Sequence, residues 1–155
     1  MKIIILENIR SAYNVGAIFR TADASGVDKI YLVGYTPAPI DRFGRVQPEI
    51  AKTSLGSSEY ISWEHAELVG PVIESLKISG SEVISIEIND TSQSLINYAP
   101  KENVAYIMGN EVEGVSKEAL VLSDQVRHLP MLGKKESLNV SVTAGIVMYH
   151  GFYKK

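Results

Sequence analysis

Leu129-Pro-Met-Leu-Gly-Lys-Lys-Glu-Ser-Leu-Asn-Val-Ser-Val-Thr-Ala-Gly-Ile-Val-Met-Tyr149 is the stretch whose reading decides the fold. A strand-like end runs into a loop with Gly133, Lys134 and Lys135, and Ser137 and Asn139 then open a helix. Over 140–153 the apolar positions Val140, Val142, Ala144, Ile146, Val147, Met148, Tyr149, Phe152 and Tyr153 leave no wide polar face. A helix of that kind is buried on more than one side. In a chain of 155 residues, that requires a sheet on one side and another helix or subunit on the other. The preceding loop then lies at a buried junction, where polar groups are costly unless partnered. It is a candidate ligand site.

Upstream, strand-like and helical patterns alternate. Strands are expected at 3–6, 29–33, 60–63, 82–88, 103–108 and 126–129. The runs 82–88 and 103–108 are nearly continuous in apolar residues, the mark of buried parallel strands. Helices are expected at 15–24, closed by Gly26, and near 48–54, opened by Pro48. A further helix at 66–78 carries a break at Gly70-Pro71, and another follows Ser116 as its cap. Six strands with intervening helices predict an α/β domain with a mainly parallel sheet and helices on both faces, one domain over 1–155.

Composition narrows the function classes. A hydrophobic share of 45% and a charged share of 21% describe an ordinary soluble globular protein. Without cysteine there are no disulfides or thiolate metal sites, which fits a reducing cytoplasm. The apolar opening run is too short for a signal peptide, and no stretch is long enough to span a bilayer. A net charge of −3 argues against a non-specific nucleic-acid coat but leaves room for a local basic patch. Arg42 with Arg45, Arg127 with His128, Lys134 with Lys135 and Lys154 with Lys155 are small basic clusters, each by default a set of solvated charges. His65, His128 and His150 show no metal-ligand spacing, so no metal is expected.

Three segments follow strand ends, where open parallel sheets bind ligands. The first, 7–24, puts Val15, Ile18, Phe19 and Ala22 on one helix face, with Arg20 opposite beside Gly16, Ala17 and Ala24. Small residues around one arginine suit close approach by something. Read alone, the helix favours Arg20 as a surface arginine and Asn14 as an N-cap. The second, 106–119, carries Gly109, Glu111 and Gly114, where glycines permit positive φ and close approach. It matches neither the dinucleotide nor the phosphate-loop pattern, and a generic strand-to-helix turn is its alternative. The third is the closing segment, where Ser137 and Asn139 serve at least as helix caps.

Together the three resemble the motifs of the SpoU (TrmH-like) RNA methyltransferases of the SPOUT superfamily, over nearly the whole chain. Asn14 and Arg20 stand where the first motif has its Asn and Arg. Gly109, Glu111 and Gly114 match G-x-E-x-x-G. Leu129-Pro130-Met131, Ser137, Leu138 and Asn139 match the third. An N-terminal RNA-binding extension is missing, as in the catalytic-domain-only members.

The resemblance implies a C-terminal deep trefoil knot, which fold rules alone would reject. It further implies a homodimer with the active site completed across the interface, and transfer of a methyl group from S-adenosylmethionine to a ribose 2′-hydroxyl of tRNA or rRNA. The implied cofactor cradle is the backbone at Ile86, Gly109, Leu129 and Leu138, with Met131 as an apolar wall. Arg20 is the implied catalytic residue. A neutral arginine is expensive, so gripping the phosphate beside the target ribose and polarising its 2′-oxygen is the easier role. Asn14, Ser137 and Asn139 would position the ribose or Arg20, and Glu111 the arginine or loop backbone. RNA would meet a basic surface drawn from Arg10, Arg42, Arg45, Lys134 and Lys135.

Competing readings are a non-catalytic RNA-binding protein that keeps the fold, a SPOUT enzyme methylating a base, and a nicotinamide-dependent oxidoreductase. The last lacks a glycine fingerprint after the first strand.

Overall fold

The computed structural model describes residues 1–150. The expected helical positions Phe152 and Tyr153, and the lysine pair 154–155, lie outside them. Seven strands form one sheet: β1 (Lys2–Glu7), β2 (Lys29–Val33), β3 (Ser62–Ala66), β4 (Glu82–Ile86), β5 (Gln93–Ser94), β6 (Val104–Met108) and β7 (Gln125–His128). The order is β3-β2-β1-β6-β4-β7-β5, with every pairing parallel. The helices are α1 (Ala12–Ala24), α2 (Pro48–Ser54), α3 (Val69–Ile78), α4 (Lys117–Leu122) and α5 (Val140–Tyr149).

Alternation along β1 builds two cores. Ile4 and Leu6 face Val15, Ile18, Phe19 and Ala22 of α1 and Ala144, Val147 and Met148 of α5. Ile3 and Ile5 face Val69, Val72, Ile73 and Leu76 of α3 and Ala119 of α4. The sheet is thus covered on both faces, as expected for parallel strands. Strands β1, β4 and β6, almost wholly buried, are its centre.

Several boundaries differ from expectation for physical reasons. The third strand begins two residues later and ends at Ala66 because it pairs with β2 from Lys29↔Ser62 to Val33↔Ala66. As a half-exposed edge strand it has little apolar patterning to announce it. No break occurs at Gly70-Pro71: α3 starts at Val69, so Pro71 falls in the first turn, where its missing N–H costs nothing. β4 ends at Ile86, not 88, and a seventh strand of two residues, β5, pairs with β7. Asn14 is not the N-cap of α1. That helix starts earlier, and Ser11 is the cap, its hydroxyl accepting from the Asn14 amide at 3.2 Å.

On the small-residue face of α1, Gly16 lies against α2, while Arg20 and Ala24 are exposed. A Cβ at Gly16 would strike Thr53 Oγ1 and the Ile50 carbonyl oxygen. α5 is not covered all round either. Val140, Ala144, Val147 and Met148 are buried, whereas Val142 (50% exposed) and Ile146 (44%) look outward.

Candidate active site at the ends of β4, β6 and β7

From β5 at the sheet edge the chain comes inward to β6, then passes through α4 and back across β4 to β7, so the progression of strands reverses at β6. A reversal of this kind opens a crevice beyond the carboxyl ends of the strands. A cavity of about 490 Å³ lies there, lined by Ile86 from β4, Met108 from β6 and His128 from β7. The loops 109–114 and 129–139 complete it. That volume is in the range of small-molecule sites.

The first loop is shaped by its two glycines. Asn110 and Gly114 exchange backbone hydrogen bonds of 3.0 and 2.9 Å. The fold this requires brings the backbone of Gly114 and Val115 so near Gly109 that a Cβ there would overlap them. Gly114 itself has φ of 75°, open to glycine at no steric cost. Between them, Asn110 Oδ1 accepts the amides of Val112 and Glu113, both at 2.8 Å, while its Nδ2 donates to the Asn8 carbonyl and the Tyr35 hydroxyl.

Glu111 leaves this loop and reaches the entrance of α1. Its carboxylate accepts the amides of Arg10 at 2.9 Å and Ser11 at 3.2 Å. Asn14 Nδ2 donates to it at 3.3 Å, and Asn139 Nδ2 donates to Asn14 Oδ1 at 3.2 Å. Asn139 Oδ1 accepts the Ser141 amide at 2.8 Å as the cap of α5. The relay has one direction. The cap forces the Asn139 oxygen toward Ser141, which leaves its NH₂ for Asn14, and Asn14 then turns its own NH₂ to a carboxylate. Partial burial works against the charge on Glu111, but the amides of Arg10, Glu111 itself and Ser11, with Asn14, outweigh it and hold the carboxyl below its ordinary value.

Of the residues expected at the site, Ile86, Gly109, Leu129, Met131 and Leu138 all line the cavity, as do Glu111, Ser137 and Asn139. Asn14 joins through the relay. Arg20 does not line the cavity. It is exposed on α1, six residues past Asn14 and so about 9 Å farther along the axis.

Glu87 was not expected. It lines the cavity, and its carboxylate accepts the amides of Val115 at 2.8 Å and Ile88 at 2.9 Å. The Ser116 amide goes to Glu7, buried in β1, at 3.0 Å. Two carboxylates thus hold consecutive amides of one loop. The one hint in sequence was a glutamate interrupting the apolar run 82–88.

His65, His128 and His150 contact the Gly34 carbonyl, Ser92 Oγ and the Tyr98 carbonyl respectively. Among the described residues no group of three or more His, Cys, Asp or Glu is placed to hold a metal ion. No helix among them is long and apolar enough to cross a membrane.

The sequence profile of the SpoU rRNA Methylase family matches residues 1–149. This chain belongs to that family. Among SpoU relatives, the tRNA (guanosine(18)-2′-O)-methyltransferase of Escherichia coli K12 is 29% identical over 94% of this chain and 60% of its own length. The chain therefore spans about 60% of the curated relatives it matches. The crystal structure of the A. aeolicus TrmH/SpoU tRNA modifying enzyme superposes with a TM-score of 0.84 at 25% identity, covering 97% of this chain and 73% of that one. The AdoMet-bound rRNA methyltransferase of Sinorhizobium meliloti gives 0.86 at 26% identity, over 97% and 55%. The parallel sheet with helices on both faces is therefore the SpoU/TrmH fold.

Proposed function

We propose that this SpoU chain is an RNA methyltransferase that uses S-adenosylmethionine to methylate a ribose 2′-hydroxyl of tRNA or rRNA. The observation that carries the reading is the Glu111–Asn14–Asn139 relay at the mouth of the cavity, which joins one residue from each of the three motifs.

The cavity suits the cofactor. Its apolar side, Ile86, Met108, Leu129, Met131, Leu138 and Val140, offers surface to an adenine ring and an aliphatic chain. Gly109, where a Cβ would overlap the backbone of Gly114 and Val115, lets the loop close into the wall of this cavity. Glu87, Glu111 and Glu113 line it as well, a negative wall for a positively charged sulfonium. When bound, the cofactor supplies a methyl group already activated by that charge.

What remains for the protein is to orient the 2′-hydroxyl and assist loss of its proton. Asn139 and Asn14 hold fixed amides at the mouth, and Ser137 adds a hydroxyl. Arg20 grips the neighbouring phosphate and polarises the 2′-oxygen as a permanent cation. Since Arg20 stands away from its own chain's cavity, a homodimer supplies it from the second copy. The outward stripe of Val142, Ile146 and Tyr149 on α5 and the 96% exposed Leu132 support that contact.

The knot belongs to the same reading. β7 enters the sheet between β4 and β5, strands made earlier in the chain, and this insertion supports a threaded 129–139 segment. Residues 1–155 act as one such domain, in the cytoplasm.

The test is transfer of labelled methyl from S-adenosylmethionine to total RNA lacking the modification, followed by nuclease digestion and nucleoside mass analysis. A 2′-O-methylated nucleoside is expected. Tight cofactor binding without transfer would leave a binding module with a retained pocket, and a methylated base would assign the other chemistry.

A further inference from the structure

The loop between β2 and α2 projects a small finger that neither the cavity nor the motifs involve. Ile40 and Val46 form an isolated antiparallel bridge, and the Gln47 amide donates to the Pro39 carbonyl at 2.9 Å. The tip is Asp41-Arg42-Phe43-Gly44-Arg45. Asp41 orders it, accepting the amides of Phe43 at 2.8 Å and Arg45 at 3.0 Å through Oδ1 and Arg45 Nε at 2.8 Å through Oδ2. The Arg45 amide, with the Arg45 side chain and the Phe43 amide, holds that carboxyl below its ordinary value against an opposing desolvation. Gly44, at φ of 77°, closes the turn.

This internal order holds outward an aromatic ring that packs on no core. Phe43 is 67% exposed, and the guanidinium carbons of Arg42 and Arg45 lie 4.8 and 5.1 Å from its centroid. A large exposed ring is a solvation cost that a packed loop would avoid by turning it inward. Arginine over phenylalanine further stiffens the tip. The result is a flat, cationic, pre-ordered stacking surface, the chemistry that receives an unpaired base and its flanking phosphates.

Its position agrees. The base of the finger is tied to the rim of the site: Thr36 Oγ1 accepts the Ile9 amide at 3.0 Å, and the Tyr35 hydroxyl accepts from Asn110 at 2.8 Å. β2 and β4 are three strand spacings apart in the sheet, about 14 Å. The base of the finger therefore lies within the span of a few nucleotides from a ribose seated at the cavity.

We propose that the 40–46 finger is an RNA-docking element in which Phe43 stacks on an unpaired base near the target while Arg42 and Arg45 hold the adjacent phosphates. The proposal rests on the RNA-methylating reading above and assigns that site a second point of attachment.

The experiment uses the full chain and labelled unfractionated tRNA and, separately, total rRNA, over a series of salt concentrations. S-adenosylhomocysteine binding and sedimentation are measured in parallel. Phe43→Leu, which keeps an apolar side chain but not a stacking one, is expected to weaken RNA binding about tenfold. Phe43→Trp should restore it. Arg42→Ala should lower the salt slope by about one. Cofactor binding and sedimentation should not change in any variant. Unchanged RNA affinity in Phe43→Leu would overturn the finger while leaving the methyltransferase reading intact. A changed sedimentation coefficient would also overturn it, because the tip would then contact a second copy. If the parent chain neither binds either RNA nor transfers methyl to it, the functional reading itself fails and takes the finger with it.

Discussion

Asn139 donates a 3.2 Å hydrogen bond to Asn14 across 125 positions of sequence. It joins the first turn of the last helix to the first turn of the first. Because Asn139 also caps α5, one side chain serves both local structure and the site, and the two roles are separable by substitution.

Asn139→Ala removes cap and donor together. It should cost about 1 kcal/mol of stability and most of the transfer activity. Asn139→Asp keeps the cap oxygen but presents a carboxylate to Asn14 Oδ1. It should recover the melting temperature to within a degree or two and leave transfer impaired. Thermal melts beside methyl-transfer rates would separate the two, and a fully active Asn139→Asp protein would refute the relay.

Arg20 has no place in its own cavity, and its role is expected to be in transfer alone. Arg20→Ala should lower the transfer rate by a hundredfold or more while S-adenosylhomocysteine binds as before. Arg20→Lys should not rescue, since an ammonium cannot grip a phosphate with two parallel bonds. A fully active Arg20→Ala chain would sink the assignment. Mixing it with a chain disabled at Asn139 should restore part of the activity if the arginine is donated across a dimer.

Glu87 anchors the cavity loop from β4. Glu87→Ala leaves the Val115 amide without its charged acceptor, a loss of about 1.5–3 kcal/mol for such a bond. Cofactor affinity measured by calorimetry should fall at least tenfold, and the melting temperature should drop by several degrees. An unchanged affinity would show that Gly109 and Gly114 shape the loop unaided.

Glu111 links the site to pH. Its folded-state pKa lies below the ordinary 4.5, so its contribution to stability is fully present above about pH 4.5. That contribution is lost as the pH falls through the depressed value and the proton is taken up. Asp124 behaves likewise: burial opposes its charge, but the Val83 amide and Lys77 hold its carboxyl low. Melting temperature should therefore be insensitive to these groups from pH 6 to 8 and decline below about pH 4.5. The decline should be shallower in Glu111→Gln.

The sequence was most legible where periodicity and burial coincide. β1, β4 and β6 announce themselves because strands buried on both faces are apolar at most positions. Glycine spacing disclosed the cavity loop, since Gly109 and Gly114 answer backbone demands that no other residue meets. Edge structure was less legible. β3 and β5 take their bounds from pairing with β2 and β7, and a half-exposed strand has no compositional signature. The same limit hid Glu87, whose role exists only because β4 ends beside Val115.

By itself the sequence determined the alternation of strands and helices, the parallel sheet they must form and the three segments at the strand ends. Each follows from side-chain patterning over a few residues. Only the tertiary structure decided that α2 covers Gly16, that Ser11 rather than Asn14 caps α1, and that Glu111, Asn14 and Asn139 form one directed relay. It also left Arg20 outside the cavity and half of α5 uncovered. These outcomes depend on hydrogen bonds and contacts between residues tens to more than a hundred positions apart. Their partners are chosen by packing across the sheet, which local propensity does not encode.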